Sequence, residues 1–463
     1  MKRYEGAWLF GVVATFALLA PAPAAAIDIF DADISVSHTT GGSTVHDFGF
    51  STVTDLFNSI SPTEFQSQLS YSCDTVPAAV CDGVNAAVGF RGVPMVLSFP
   101  QNSAVLTFQV PGLNFNTTFT GATAPTLTQE RQDAINQLKD FVKKDPTFLR
   151  KFLTLLAQES PIDPLAGNPV SLFSKFQSRD FSEGFTHKVS QVWGCGTSAF
   201  NFTNDQPVQV AAVGGVSDIF AEANARAAEL QAENEIGLGL QFANVKAPTT
   251  GGTYATNSFD IPLSYTVKFD SDPSYKLRFD LPITVTDTGG AKSYAIGFGL
   301  APTFPLTDAW TLTPAIGAGA TGSTDLGSAG GVGAFSLTSA YTLRLGGFGV
   351  SLGDAVGRYQ SLGLKLGDIE AKADIKDTVY TNGLLVSGPS SLIASNLVME
   401  YSITDTRITG TNVYSKSYDE AGIALGHIGT EQGVITSYLK AGVSYLVGDH
   451  DIKAIKFNLS SRF

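Results

Sequence analysis

The chain has 463 residues and a net charge of −13, from 29 basic and 42 acidic side chains, with the acidic excess shared evenly by its two halves. Neither half carries the basic stripe of a nucleic-acid-binding surface, so that class of partner is excluded. Acidity of this kind suits an exported protein and identifies no ligand.

Residues 1–26 read as a secretory signal peptide. Lys2 and Arg3 form the positive start, Ala7 through Ala20 the apolar run, and Ala22, Ala24 and Ala26 the small-residue cleavage spacing, placing cleavage near Ala24 to Ala26. The apolar run is shorter than the roughly 20 residues a spanning helix needs. In the oxidising compartment beyond, Cys73 and Cys81 are expected to close a small disulfide loop, which leaves Cys195 over.

Residues 27–125 are rich in glycine, serine and threonine. Val93–Phe99 and Ala104–Val110 read as a hairpin around Pro100-Gln101-Asn102-Ser103. Over 128–158 the period changes: Ile135, Leu138, Phe141 and Val142, then Phe148, Leu149, Phe152, Leu153 and Leu156, predict two amphipathic helices separated at Pro146. A proline-punctuated linker, Ser160 to Pro169, and a shorter helical stretch near 170–192 follow. Residues 27–217 are thus expected to form a mixed α/β exported domain. Residues 218–235 predict a linker helix, capped by Ser217 or Asp218, with Phe220, Ala223, Ala227, Leu230 and Asn234 on one face. At 1.5 Å per residue it would be roughly 25 Å long, similar to the apolar band of a membrane barrel.

From Ile236 to Phe463 the apolar period is two. Phe259, Ile261, Leu263, Tyr265, Val267 and Phe269 alternate with polar residues, as do Leu277, Phe279, Leu281, Ile283 and Val285. About twelve such strands can be placed, with ten as the alternative because 354–395 is weakly punctuated. The fold class is therefore mainly β: a C-terminal transmembrane antiparallel β-barrel over 236–463, following the N-terminal mixed α/β domain. Tight connections such as Gly346-Gly347 are assigned to the periplasmic side. Longer ones, Ala247–Ser258, Gly322–Gly330 and Asp368–Asp377, are assigned to the outer side. Pro262, Pro282, Pro302 and Pro314 interrupt strands two to five, where they should loosen the ladder. The polar set includes Lys268, Asp270, Lys276, Arg278, Asp280 and Arg344, expected to face the lumen and to pair across strands, hold the linker helix or line a channel.

No catalytic constellation is legible. There is no G-x-S-x-G elbow, no H-E-x-x-H and no paired C-x-x-C, so neither a hydrolase nucleophile nor a zinc site is indicated. His38 and His46, with Asp47, Asp28, Asp31 and Asp33, offer metal-ligand types, but in a loop-like setting of threonine, serine and glycine. The glycine-rich stretch Gly327–Gly333 resembles a phosphate loop only weakly. The expectation is a non-enzymatic protein without a cofactor.

A signal peptide, an exported domain, a linker helix and a barrel of about twelve strands ending in Phe463 together resemble the autotransporter family. The resemblance covers 218–463. It implies a barrel in the outer membrane of a Gram-negative bacterium, a helix through its pore and a displayed domain. It also implies that Phe457, Leu459 and Phe463 form the signal read by the barrel-assembly machinery, with outer-membrane lipid as the other partner. The chain departs from the family in lacking a long repetitive passenger. A porin-like channel with a periplasmic or plug domain is the alternative, and an enzyme displayed by the barrel is a third reading that no motif supports.

Overall fold

The alternation that begins at residue 235 closes on itself. In the computed structural model, which describes residues 28–185 and 234–462 apart from 62–63, 65–66, 76–79, 250, 270–271, 308, 346–347, 367–368, 390–396 and 429–437, twelve antiparallel strands form a closed barrel. They are β9 (Glu235–Thr249), β10 (Gly252–Phe269), β11 (Asp272–Thr288), β12 (Ala291–Pro305), β13 (Trp310–Ser323), β14 (Ser328–Leu345), β15 (Phe348–Leu362), β18 (Lys376–Pro389), β19 (Leu397–Gly410), β20 (Ser417–Ile428), β21 (Tyr438–Gly448) and β22 (Lys453–Arg462). A small hairpin, β16 (Leu364–Leu366) and β17 (Ile369–Ala371), stands on the connection between β15 and β18. Closure removes the sheet edges and satisfies the backbone within the wall. Phe259, Tyr265, Leu281, Ile296, Phe335 and Tyr401 are exposed on its outside, the apolar belt expected of a lipid-facing surface. No helix among the described residues is long and apolar enough to cross a membrane.

The expected loop lengths need adjusting. The connection assigned to Ala247–Ser258 is a tight turn, because β9 and β10 extend to Thr249 and from Gly252. The prolines do interrupt the ladder: β9 and β10 pair at Gly252–Ala255 and resume only at Leu263, after Pro262. The β11–β12 ladder skips Leu281 and Pro282, and the β12–β13 ladder skips a stretch that includes Pro302 and Pro314. Proline has no N–H to offer a ladder. By contrast β22 closes against β9 through ten consecutive pairs, Lys453↔Lys246 to Arg462↔Gly237.

The N-terminal part is a six-stranded sheet in the order β2-β1-β5-β6-β7-β8. Its strands are β1 (Phe30–Ser37), β2 (Ser43–Phe50), β5 (Gly83–Phe90), β6 (Val93–Phe99), β7 (Val105–Val110) and β8 (Phe115–Thr120), with β3 (Cys73–Thr75) and β4 (Val80–Cys81) as a separate pair. Helices α1 (Val53–Ser59), α2 (Leu127–Lys144) and α3 (Pro146–Glu159) accompany it. The hairpin and both amphipathic helices stand where the periods place them. Asp145 caps α3 by accepting from the Phe148 N–H at 2.7 Å, and Pro146 occupies the first turn, where no N–H is needed. Asp74 accepts from the Leu127 and Thr128 N–H groups at the start of α2. Aromatic rings link sheet and helices in a chain: Phe30–Phe90, Phe90–Phe152, Phe152–Phe148, Phe148–Phe115 and Phe115–Phe141, with centroids 4.8 to 5.8 Å apart. Cys73 and Cys81 are joined as a disulfide. Cys195 and residues 1–26 lie outside the described residues.

Arg131 ties this domain together from inside. Its guanidinium, 1% exposed, donates to the carbonyls of Ser103, Asp82 and Pro100 and to the Tyr71 hydroxyl. Removing it orphans four acceptors, two of them buried, so Arg131→Ala should destabilise the domain by about 3–5 kcal/mol, read as a lower urea midpoint of its transition in detergent. The Asp82 carboxyl is pushed up by burial, but hydrogen bonds from the Thr39 and Ser72 N–H groups, His38 and the Thr39 hydroxyl outweigh this and hold it below its ordinary 3.8. Burial likewise pushes Asp74 up, and Thr128 and Leu127 pull it lower. Groups lowered on folding stabilise fully above their unfolded value and lose that contribution as pH falls through the folded one. The domain should therefore lose stability on acidification from about pH 5 to pH 3, and Asp82→Asn should flatten that slope.

Candidate functional site: the filled barrel lumen

Between the domain and the barrel the chain turns inward. Every residue from Ser160 to Ser174 is buried, although sequence reads 160–169 as a linker. A buried loop must satisfy its own backbone. Asp163 accepts from the Leu165 and Ala166 N–H groups at 2.9 and 3.1 Å, and Asn168 donates to the Asp163 carbonyl at 2.7 Å. Asn168 also accepts from the Val170 N–H at 3.1 Å. The loop leads into α4 (Leu172–Phe185), which runs down the lumen against β12 to β15 and β18. The lumen helix is thus α4, drawn from the stretch that sequence assigns to the N-terminal domain. The predicted 218–235 helix lies outside the described residues except at its end, where Glu235 already begins β9.

The lumen wall is cut to receive α4. A Cβ at Gly297 would stand 2.8 Å from the Phe176 ring, and one at Gly319 would stand 2.6 Å away. Phe181 occupies the space over Gly383, and Phe185 that over Gly353. Arg179 lies 4.3 Å over the Phe176 ring and pairs with Asp180, which accepts from Tyr359 Oη at 3.0 Å. Asp180 also offers its carbonyl to the Thr338 hydroxyl. Lys175 pairs with Asp260 of β10. Two water-sized cavities, each ≈ 20 Å³, flank α4. One is lined by Gln177, Thr381, Thr404 and Glu420 among others, the second by Lys175, Thr284 and Ser293 among others.

Sequence placed some of the polar lining and missed the rest. Lys268, Lys276, Arg278 and Asp280 are buried on the lumen side, with Arg278 and Asp280 paired at 2.8 Å. Arg344 pairs in backbone register with Gly349; its side chain and Asp270 lie outside the described residues. The pairs Lys440–Glu400 and Lys456–Glu420 are buried in the same lumen. They went unread, although each stands on the polar set of its strand. Phe457 and Leu459 take the outer face of β22, alternating with buried Lys456, Asn458 and Ser460; Phe463 lies outside the described residues. The metal-ligand types do not gather. His38 bonds to Asp82 and Thr44, while His46 stacks over Phe48 at 6.3 Å.

The domain sits on one mouth. Its contacts fall on the turns opposite the end that holds Gly237 and Arg462. The Val53 N–H donates to the Asp325 carbonyl at 2.7 Å, and the Asp374 N–H to the Thr154 hydroxyl at 2.8 Å. The Tyr414 N–H donates to the Ala157 carbonyl at 3.0 Å, and the Ser415 N–H to that of Gly167 at 3.2 Å. At the centre, Arg91 pairs with Asp163 and donates to the Leu326 carbonyl, with both side chains of the ion pair at most 2% exposed. Replacing Phe176, Phe181 and Phe185 together by alanine should loosen α4 and raise planar-bilayer conductance at least about tenfold over the unaltered chain, since each ring deletion costs roughly 3–5 kcal/mol of packing.

No protein-family model and no curated protein matches the sequence. Among solved structures, the barrel is similar to the β domain of the Bordetella autotransporter BrkA, at 14% identity over 49% of this chain and 98% of that one, TM-score 0.36. The translocator domain of autotransporter NalP from Neisseria meningitidis matches at 12% identity over 54% and 99%, TM-score 0.35. The NanC porin matches at 10% over 48% and 98%, TM-score 0.30. At these values the likenesses carry no inference about activity. The chain carries a closed twelve-stranded antiparallel β-barrel with an apolar outer belt.

Proposed function

We propose that this protein is an outer-membrane anchor of autotransporter type, whose barrel is filled by α4 and carries the compact domain of residues 28–159 on its outer mouth. One observation carries the reading: the domain sits at the end of the barrel opposite both ends of the wall, and residues 172–185 run down the lumen. In even-stranded bacterial barrels both ends lie in the periplasm, so the opposite mouth faces out. The signal peptide would deliver the chain to the barrel-assembly machinery, and the outward rings of the wall would meet lipid.

The porin-like reading draws on the two cavities beside α4. Each holds about one water, so conduction would require α4 to leave. Surface display is tested with Thr118→Cys, on the exposed face of β8, and a membrane-impermeant maleimide. Intact cells should label at once, above the background of the unaltered chain. Labelling only after the outer membrane is permeabilised would place the domain in the periplasm and favour the channel.

A further inference from the structure

Where the turn between β1 and β2 meets the start of β5, a hydroxyl, an imidazole and a carboxylate stand in series. Thr44 Oγ1 lies 3.2 Å from His38 Nε2, and His38 Nδ1 lies 3.0 Å from Asp82 Oδ2. An ionised carboxylate only accepts, so Nδ1 carries the proton and Nε2 is left to accept from the Thr44 hydroxyl. This is the order of partners that activates a hydroxyl nucleophile.

The carboxylate is held from several directions. Thr39 N–H donates to Asp82 Oδ1 at 2.7 Å and Ser72 N–H to Oδ2 at 2.9 Å. The Asp82 N–H bonds to the Ser72 carbonyl, and Arg131 Nη1 grips the Asp82 carbonyl at 2.7 Å. The neighbouring Cys81 is locked in the disulfide. Two residues along the same face of β2, His46 has a buried Nε2 without a hydrogen-bond partner among the described residues. Gly41 and Gly42, at φ +98° and +85°, have open space where a Cβ would stand, which leaves an approach uncovered.

We propose that Thr44, His38 and Asp82 form an acyl-transfer centre that hydrolyses short carboxylic esters. Thr44 is the nucleophile, His38 the general base and Asp82 the positioning residue. Thr44 Oγ1 attacks the ester carbonyl carbon as His38 Nε2 takes its proton. The C–O bond to the alcohol breaks, and His38 returns the proton to the leaving oxygen. Water then attacks the acyl-threonine ester, giving a proton to His38. The bond to Thr44 breaks, the carboxylic acid leaves, and His38 reprotonates Thr44. The exposed neighbours Thr39, Thr40 and Ser43 are hydroxylated rather than apolar, which suits a short acyl group on a hydroxyl-rich alcohol. The centre does not depend on which side of the membrane the domain occupies.

The test uses the purified full chain in detergent with p-nitrophenyl acetate and a fluorophosphonate probe. Saturable turnover is expected, with probe attached to the peptide that contains Thr44. Thr44→Val and His38→Gln should each lower kcat by at least about 100-fold, Thr44→Ser should remain active, and the melting temperature of Thr44→Val should stay close to that of the unaltered chain. Should Thr44→Val fail to fold, the site of probe attachment and the Thr44→Ser and His38→Gln rates still decide. Turnover no faster than buffer, probe attached elsewhere, or full activity in His38→Gln would overturn the proposal.

Discussion

The ion pair between Arg91 and Asp163 is the pin on which the whole arrangement turns. Arg91 stands at the tip of the β5–β6 hairpin with φ near +55°, a left-handed backbone that costs a non-glycine residue about 1–2 kcal/mol. That strain is tolerated because the tip reaches three bodies at once: the sheet that carries it, the buried loop that holds Asp163, and the barrel turn at Leu326. Asp163 in turn orders the loop above α4 by accepting from Leu165 and Ala166. Loss of one partner would leave a charge buried without compensation, the costly way to break such a pair. Domain, loop and wall also share one continuous apolar core, from Phe30 and Phe152 through Leu165 to Val245 and Ile408. The domain is therefore seated on the barrel rather than tethered to it.

Inside the lumen the logic is complementary shape. Large rings sit on the helix and the wall offers glycine and threonine, so the helix can be broad where a barrel of twelve strands is narrow. Charges follow the same division. Lys175 finds Asp260 on the wall, Asp180 finds Tyr359, and pairs such as Lys456–Glu420 stay within the wall. A polar lumen filled in this way pairs most of its charges without bulk water, which a lining of isolated charges could not do.

Much of the barrel was legible because a period of two, sustained over many strands, has few alternative structures. Phe259 and Leu281 outside, and Lys268 and Arg278 inside, follow from alternation alone. The plug was harder to read. Residues 172–185 carry serine, lysine, arginine and aspartate between their phenylalanines, so they look like a modest surface helix. Their burial depends on glycines such as Gly319 and Gly383, more than a hundred residues downstream. The Ser160 to Pro169 stretch has the composition of a linker, and nothing local reveals that Asp163 and Asn168 cap a buried loop. The association of His38 with Asp82 and Thr44 was hidden for the same reason, since register between β1 and β2 and the break between β4 and β5 at Asp82 create it. Glu400 and Glu420 were readable in principle as acidic residues on polar-set positions.

The interrupted ladder at Pro262 gives the cylinder a grain. Its closing junction, β22 on β9, runs unbroken for ten residues, whereas β9 on β10 is stitched only at its two ends. A sheet parts where fewest main-chain bonds must break together. Under sideways stress from a bilayer of mismatched thickness, this wall would yield one strand away from its own join. The same slit lies beside Asp260, where Lys175 anchors the plug to the wall. Deformation of the membrane and release of the helix would then be a single mechanical event.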